Sequence, residues 1–183
     1  MRPEAAAARV VQHALSRRPT LGAGRLVCVD GPAGSGKTTL AAAIADRSAA
    51  QVVNLDELYG GWDGLLWVAA DVERMLRPLA AGRSGWWQRY DWAAARRAEW
   101  HHVHPGGLLV VEGVGAGSRS WADLTTTLVY VEAPRSTRLR RGLERDGVAQ
   151  AEHWRRFVVQ EDRLLSRERT RARADLVVPN RDK

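Results

Sequence analysis

Short, almost continuously apolar runs alternate along this chain with longer stretches whose apolar residues recur every three or four positions. "RLVCVD" at 25–30 is the first such run, closed by Gly31 and Pro32, and it predicts a buried strand. "KTTLAAAIADRSA" at 37–49 is built from strong helix formers and predicts a helix. "QVVNLD" at 51–56 predicts a second strand, and "GLLWVAADVERMLRPLAAG" at 64–82 has helical spacing that ends near Pro78 and Gly82. "LLVVEG" at 108–113 and "TTLVYVEA" at 126–133 predict strands three and four. Helical segments at about 134–145 and 150–168 follow, and "ADLVVPN" at 174–180 predicts a fifth strand. An amphipathic helix is predicted over 3–18, whereas "SGWWQRYDWAAARRAEWHHVHPGG" at 84–107 has no clear period. Strands that are apolar on both faces, separated by helices, predict a three-layer α/β fold with a five-stranded parallel sheet. The 183 residues read as one domain spanning 1–183.

Composition changes this picture little. Apolar residues make up 45% and charged residues 27%, as in ordinary globular proteins. No run of 18 apolar residues predicts a membrane span, and the N-terminal stretch lacks a signal-peptide core, so cytoplasm is the expected compartment. The single cysteine, Cys28, sits in an apolar run and reads as a small buried hydrophobe. A net charge of +7 raises the question of nucleic acid, but the arginines scatter along helical segments instead of forming a block. Nucleic acid is therefore not expected as the main partner.

The charge does carry one informative detail. Only two of the 28 basic residues are lysines, and one of them, Lys37, lies in "GPAGSGKTT" between the first strand and the first long helix. Gly31 to Thr38 satisfies G-x-x-x-x-G-K-[ST] in the strand-to-helix context that gives this motif meaning. Glycines let backbone N–H groups converge on phosphate oxygens, and the helix N-terminus adds partial positive charge. Lysine supplies a compact cation on a flexible stem that a planar guanidinium replaces poorly. The motif thus assigns Gly31, Ala33, Gly34, Ser35, Gly36, Lys37, Thr38 and Thr39 to a nucleotide's phosphates, with the Thr38 hydroxyl on Mg²⁺.

Two carboxylates fall where ligands of open α/β sheets bind, at the carboxyl ends of strands. Asp56, in "VVNLDELY", is placed to accept a proton from an attacking hydroxyl, although Asp before an acidic residue is also a common helix start. Glu112, ending the third strand, is a candidate for the metal shell. Six of the eight tryptophans, Trp62, Trp67, Trp86, Trp87, Trp92 and Trp100, lie between strands two and three, where an acceptor would bind. Trp62 and Trp92, near the candidate base and the Tyr90-Asp91 pair, are the ones expected to meet a flat acceptor, while several of the tryptophans read as simply sealing the core. The histidines 101, 102 and 104 have no Cys or carboxylate company and read as an exposed edge or loop.

Together, "GPAGSGKT", "LDELY", "YDW", "VVEGV" and "RLRRGLERD" (138–146), in this order and spacing, resemble the uridine kinase-like branch of the P-loop nucleoside and nucleotide kinases over about 25–178. The resemblance implies a P-loop NTPase fold with strand order 2-3-1-4-5, an acceptor-binding segment at about 57–105 and a small lid at about 138–160. It implies ATP and Mg²⁺, with Asp56 as general base and Glu112 near the metal. Tyr59, Tyr90 and Trp92 would line the acceptor pocket with Arg97 as a polar contact, and Arg141 and Arg145 would reach the transferred phosphoryl from the lid. Ala95 stands where uridine kinases carry a histidine that helps read the pyrimidine.

The expected activity is phosphoryl transfer from ATP to a hydroxyl of a small, nucleoside-like acceptor. A nucleoside monophosphate kinase is the alternative, with Arg89, Arg96 and Arg97 for the acceptor phosphate. From a different class, a nucleotide-binding regulatory or nucleic-acid-associated protein would keep the loop for control. A GTPase would need N-K-x-D, and the only other lysine is Lys183; an LSGGQ-like segment is absent, and the chain is short for an AAA-type module with its helical lid domain.

Overall fold

A computed structural model describes residues 2–180; Lys183 lies outside them. The chain runs α1 (Pro3–Ser16), β1 (Arg25–Asp30), α2 (Lys37–Ser48), β2 (Gln51–Asn54), α3 (Val68–Ala80), β3 (Gly85–Asp91), β4 (Arg96–Val103) and β5 (Leu108–Glu112). It continues through β6 (Thr127–Glu132), α4 (Arg135–Asp146), α5 (Ala151–Glu168), α6 (Thr170–Arg173) and β7 (Leu176–Pro179). Five strands form a parallel sheet ordered β2-β5-β1-β6-β7, the 2-3-1-4-5 order expected for the sheet strands counted along the chain.

Each central strand feeds two cores, which explains its unbroken apolar run. Leu26 and Cys28 of β1 face the core built with α3, Trp121 and Phe157, while Val27 and Val29 face α1 and α2. Leu109 and Val111 of β5 alternate with Leu108 and Val110 in the same way. Cys28 is fully buried, and burial pushes its thiol up to about 12, so it behaves as a hydrophobe.

The stretch without a clear period is an antiparallel hairpin, β3–β4, with a register shift between Gln88 and Tyr90. Its pattern was obscured because tryptophan occupies both faces. Trp87 is buried toward α3, whereas Trp86 and Trp100 are 52% and 59% exposed. Gly85 lets β3 approach α3, since a β-carbon there would overlap the Met75 carbonyl. The turn closes with the Asp91 carboxylate accepting the Ala94 N–H at 2.9 Å, and Ala95 adopts a left-handed φ of 50°. The N-terminal helix ends at Ser16 rather than 18, and the helical segments expected at about 134–145 and 150–168 form α4 and α5, joined by a 3-10 turn at Val148–Gln150.

Candidate functional site

The loop between β1 and α2 is held from every side. Asp30, fully buried at the end of β1, accepts N–H groups from Gly31 at 2.6 Å and from Gly115 and Gly117 at 2.9 Å. Burial raises its pKa while those three donors oppose the rise. Four successive loop carbonyls are drawn to side-chain donors: Pro32 to Lys37 Nζ (3.0 Å), Ala33 to Arg138 (3.4 Å), Gly34 to Arg141 (3.2 Å) and Ser35 to Asn180 (2.8 Å). The Arg138–Glu161 pair is buried, and the Glu161 carboxylate also accepts the Ala33 N–H. Gly34 is required because a β-carbon at its φ of 74° would press on the Arg138 backbone.

These bonds decide which amides face the cleft. The N–H groups of Gly31, Ala33 and Ser35 are taken by Asp30, Glu161 and the Pro32 carbonyl, and neither Gly31 nor Ser35 lines the cleft. Lys37, Thr38 and Thr39 form the first turn of α2, where a helix has no acceptor of its own for its N–H groups. With Ala33, Gly34 and Gly36 they form one wall of a cleft of about 570 Å³.

Glu112 closes the floor. It is buried at the end of β5, beside β1 and β2, and accepts the Thr38 hydroxyl at 2.9 Å. Burial pushes its pKa up to about 6, Lys37 pulls it down, and the Asp56 charge raises it further. A hydroxyl and a carboxylate in contact are hard oxygen donors, the set that Mg²⁺ prefers.

Asp56 lies across the cleft in a single 3-10 turn, Leu55–Glu57. Asn54 caps this turn, its Oδ1 accepting the Asp56 N–H at 2.8 Å, so the Asp56 carboxylate is not consumed as a cap. Nothing in the sequence pattern singled out Asn54. Arg145 Nη1 lies 3.8 Å from the Asp56 carboxylate, while its Nε and Nη2 bind Asp146 at 2.7 and 3.0 Å. Arg141 lines the same cleft.

The remaining wall is aromatic. Trp92 and Trp62 meet edge to face at 5.6 Å, Trp62 meets Phe157 at 6.2 Å, and Phe157 meets Tyr59 at 6.1 Å. Trp62 is also covered by the stacked His153 ring at 5.3 Å. Tyr59 is 1% exposed, and its hydroxyl is given to the Val114 carbonyl. Gln150, Trp154 and Phe157, together with Gly142 and Asp146, complete the wall from α4, α5 and the turn between them, all outside the Trp-rich segment in which acceptor contacts were expected.

Three expected acceptor residues do not line this cleft. Tyr90 supports Trp92 from behind at 5.5 Å, Asp91 closes the hairpin turn, and Arg97 spends its guanidinium on the carbonyls of Leu58 and Gln88 (both 3.0 Å) and on Asp71 (2.7 Å). His101 stacks on Trp87, whereas His102 and His104 pair on the opposite face. Among the described residues no group of three or more His, Cys, Asp or Glu could hold a metal.

A glycine-rich turn entering a helix, a lysine and threonine at its head, and a carboxylate at the neighbouring strand end define a P-loop nucleotide-binding α/β protein. The chain belongs to the AAA domain family, whose model matches residues 27–157, from β1 into α5, which corrects the argument from length against an AAA-type module. Among curated proteins none matches the sequence significantly. A Bacillus stearothermophilus protein provisionally described as a uridine kinase superposes with a TM-score of 0.58 at 22% identity, over 85% of this chain and 89% of its own. A Silicibacter sp. TM1040 protein provisionally described as a fructose transport system kinase reaches a TM-score of 0.67, also at 22% identity, over 98% of this chain and 100% of its own. These likenesses establish a shared fold. No helix among the described residues is long and apolar enough to cross a membrane.

Proposed function

We propose that this protein is a P-loop kinase that transfers the γ-phosphoryl group of ATP to a hydroxyl of a small, flat, uncharged acceptor, nucleoside-like in shape. The observation that carries this reading is that Lys37, Thr38 and Glu112 face the Asp56 carboxylate within one cleft whose other wall is aromatic. Lys37 and the α2 N-terminal amides bind the β- and γ-phosphates. Thr38 and Glu112 would hold Mg²⁺, which supplies charge neutralisation between those phosphates. Asp56 accepts the proton of the attacking hydroxyl, and Arg141 and Arg145 stabilise charge on the transferred group.

A monophosphate acceptor fits less well. Arg89 is committed to Glu99, Arg97 is bound to two carbonyls and Asp71, and Arg96 is an exposed residue on β4 that does not line the cleft. One structural neighbour is described by a nucleoside and another by a sugar, so the acceptor screen spans both. ADP release is to be measured with nucleosides, nucleotides, sugars and vitamins. One uncharged class should stimulate it, and Asp56→Asn should lower the stimulated rate by roughly 10²–10⁴-fold. No stimulation by any acceptor, or full stimulation in Asp56→Asn, would refute the reading.

A further inference from the structure

Resting on that reading, we infer that Arg97 and Trp92 are positioning residues through which the β3–β4 hairpin fixes the backbone of the turn carrying Asp56. The turn is one 3-10 unit, with Leu58 and Tyr59 N–H groups both on the Leu55 carbonyl at 2.9 and 3.0 Å. So short a helix leaves its own last carbonyls without intrahelical partners. Two of them are filled by the hairpin. The Trp92 indole N–H donates to the Asp56 carbonyl at 2.8 Å, and Arg97 Nη1 donates to the Leu58 carbonyl at 3.0 Å.

Arg97 is itself anchored. The same Nη1 reaches the Gln88 carbonyl across the hairpin at 3.0 Å, and Nη2 binds Asp71 of α3 at 2.7 Å. One guanidinium therefore joins the base-bearing turn, the hairpin and α3. Its planar fork directs several N–H groups along fixed lines, a task that a single ammonium cannot perform. Below the turn, buried Leu55, Leu58 and Tyr59 anchor one face of it, leaving the backbone carbonyls of Asp56 and Leu58 to be held from the hairpin side. The hairpin bonds, one on each side of Glu57, tie down the backbone from which the Asp56 side chain enters the cleft.

Arg97→Lys keeps the charge and Trp92→Phe keeps a ring against Trp62, so the two variants remove the tie in unrelated ways. Amide hydrogen exchange of the full chain is read at Leu58 and Tyr59, with β1 and β5 as internal references. Hydrolysis of MgATP to ADP and phosphate, with water in place of the acceptor hydroxyl at the same base, is measured alongside. We expect exchange at Leu58 and Tyr59 to rise about tenfold in both variants, with the references unchanged. The hydrolysis kcat should fall roughly ten- to a hundredfold while KM for ATP stays constant, as for a misaligned group. Unchanged exchange in both variants overturns the inference. So does faster exchange with an unaltered kcat in a protein whose hydrolysis Asp56→Asn abolishes. If Asp56→Asn leaves hydrolysis intact, Asp56 is not the base for water, the kinase reading is decided by the acceptor-stimulated assay, and the exchange data alone decide whether the hairpin fixes the turn.

Discussion

Replacing Glu112 by glutamine should make the nucleotide-free protein more stable at neutral pH while disabling it. Glu112 is 2% exposed, and its pKa is pushed from 4.5 to about 6, first by burial and then by the Asp56 charge, despite the opposing pull of Lys37 and the Thr38 hydroxyl. A carboxyl whose folded pKa is raised binds its proton more tightly in the folded than in the unfolded chain. The folded state is therefore favoured below pH 4.5, loses that advantage as pH climbs to about 6, and carries the full cost above it. The rise corresponds to about 2 kcal/mol. Glutamine keeps an oxygen for Thr38 and removes the buried charge. For a chain of this size the gain is roughly 4–8 °C in Tm. The assay is thermal unfolding of both proteins from pH 4 to 8, with and without MgATP. Glu112→Gln should match the parent near pH 4 and exceed it at pH 7.5, and MgATP should stabilise only the parent. Equal Tm values at pH 7.5, or a difference that does not vary with pH, would refute the reasoning.

Other expectations follow from the same geometry. Lys37→Ala should weaken MgATP binding or turnover by roughly 10²–10³-fold, read by titration calorimetry and ADP release. Gly142→Ala should cost about 1–3 kcal/mol in urea unfolding, because the new methyl overlaps the Trp154 indole. Trp121→Ala, which empties a fully buried site and loses the indole bond to the Ala116 carbonyl at 2.9 Å, should cost about 3–5 kcal/mol.

The sheet's strands and the phosphate loop were legible because each obeys a rule that acts along the chain, whereas the strand order came only with the family resemblance. Buried strands are apolar throughout, and glycine, lysine and threonine at fixed spacing have a chemical reason for that spacing. The hairpin was not legible, since Trp86 and Trp87 point to opposite faces and erase the alternation that marks a half-buried strand. Arg97 was misplaced for a different reason. A guanidinium near a pocket in sequence can bind a substrate or a backbone carbonyl, and carbonyls leave no mark in side-chain order. Asn54 and the Arg138–Glu161 pair likewise leave no mark in the sequence, being defined by partners that only the folded chain supplies. The wall formed by Trp154 and Phe157 was outside the expected acceptor segment because α5 returns to the cleft from far along the chain.

The aromatic wall has an optical consequence. Three of the eight indoles, Trp62, Trp92 and Trp154, border the cleft, and two of them donate N–H bonds to Asp56 and Asp146. A ring seated against them would displace water from their faces and alter their emission, while Trp121 in the core stays silent. The protein thus carries its own unlabelled reporter, and candidate acceptors can be sorted by fluorescence before any of them is turned over.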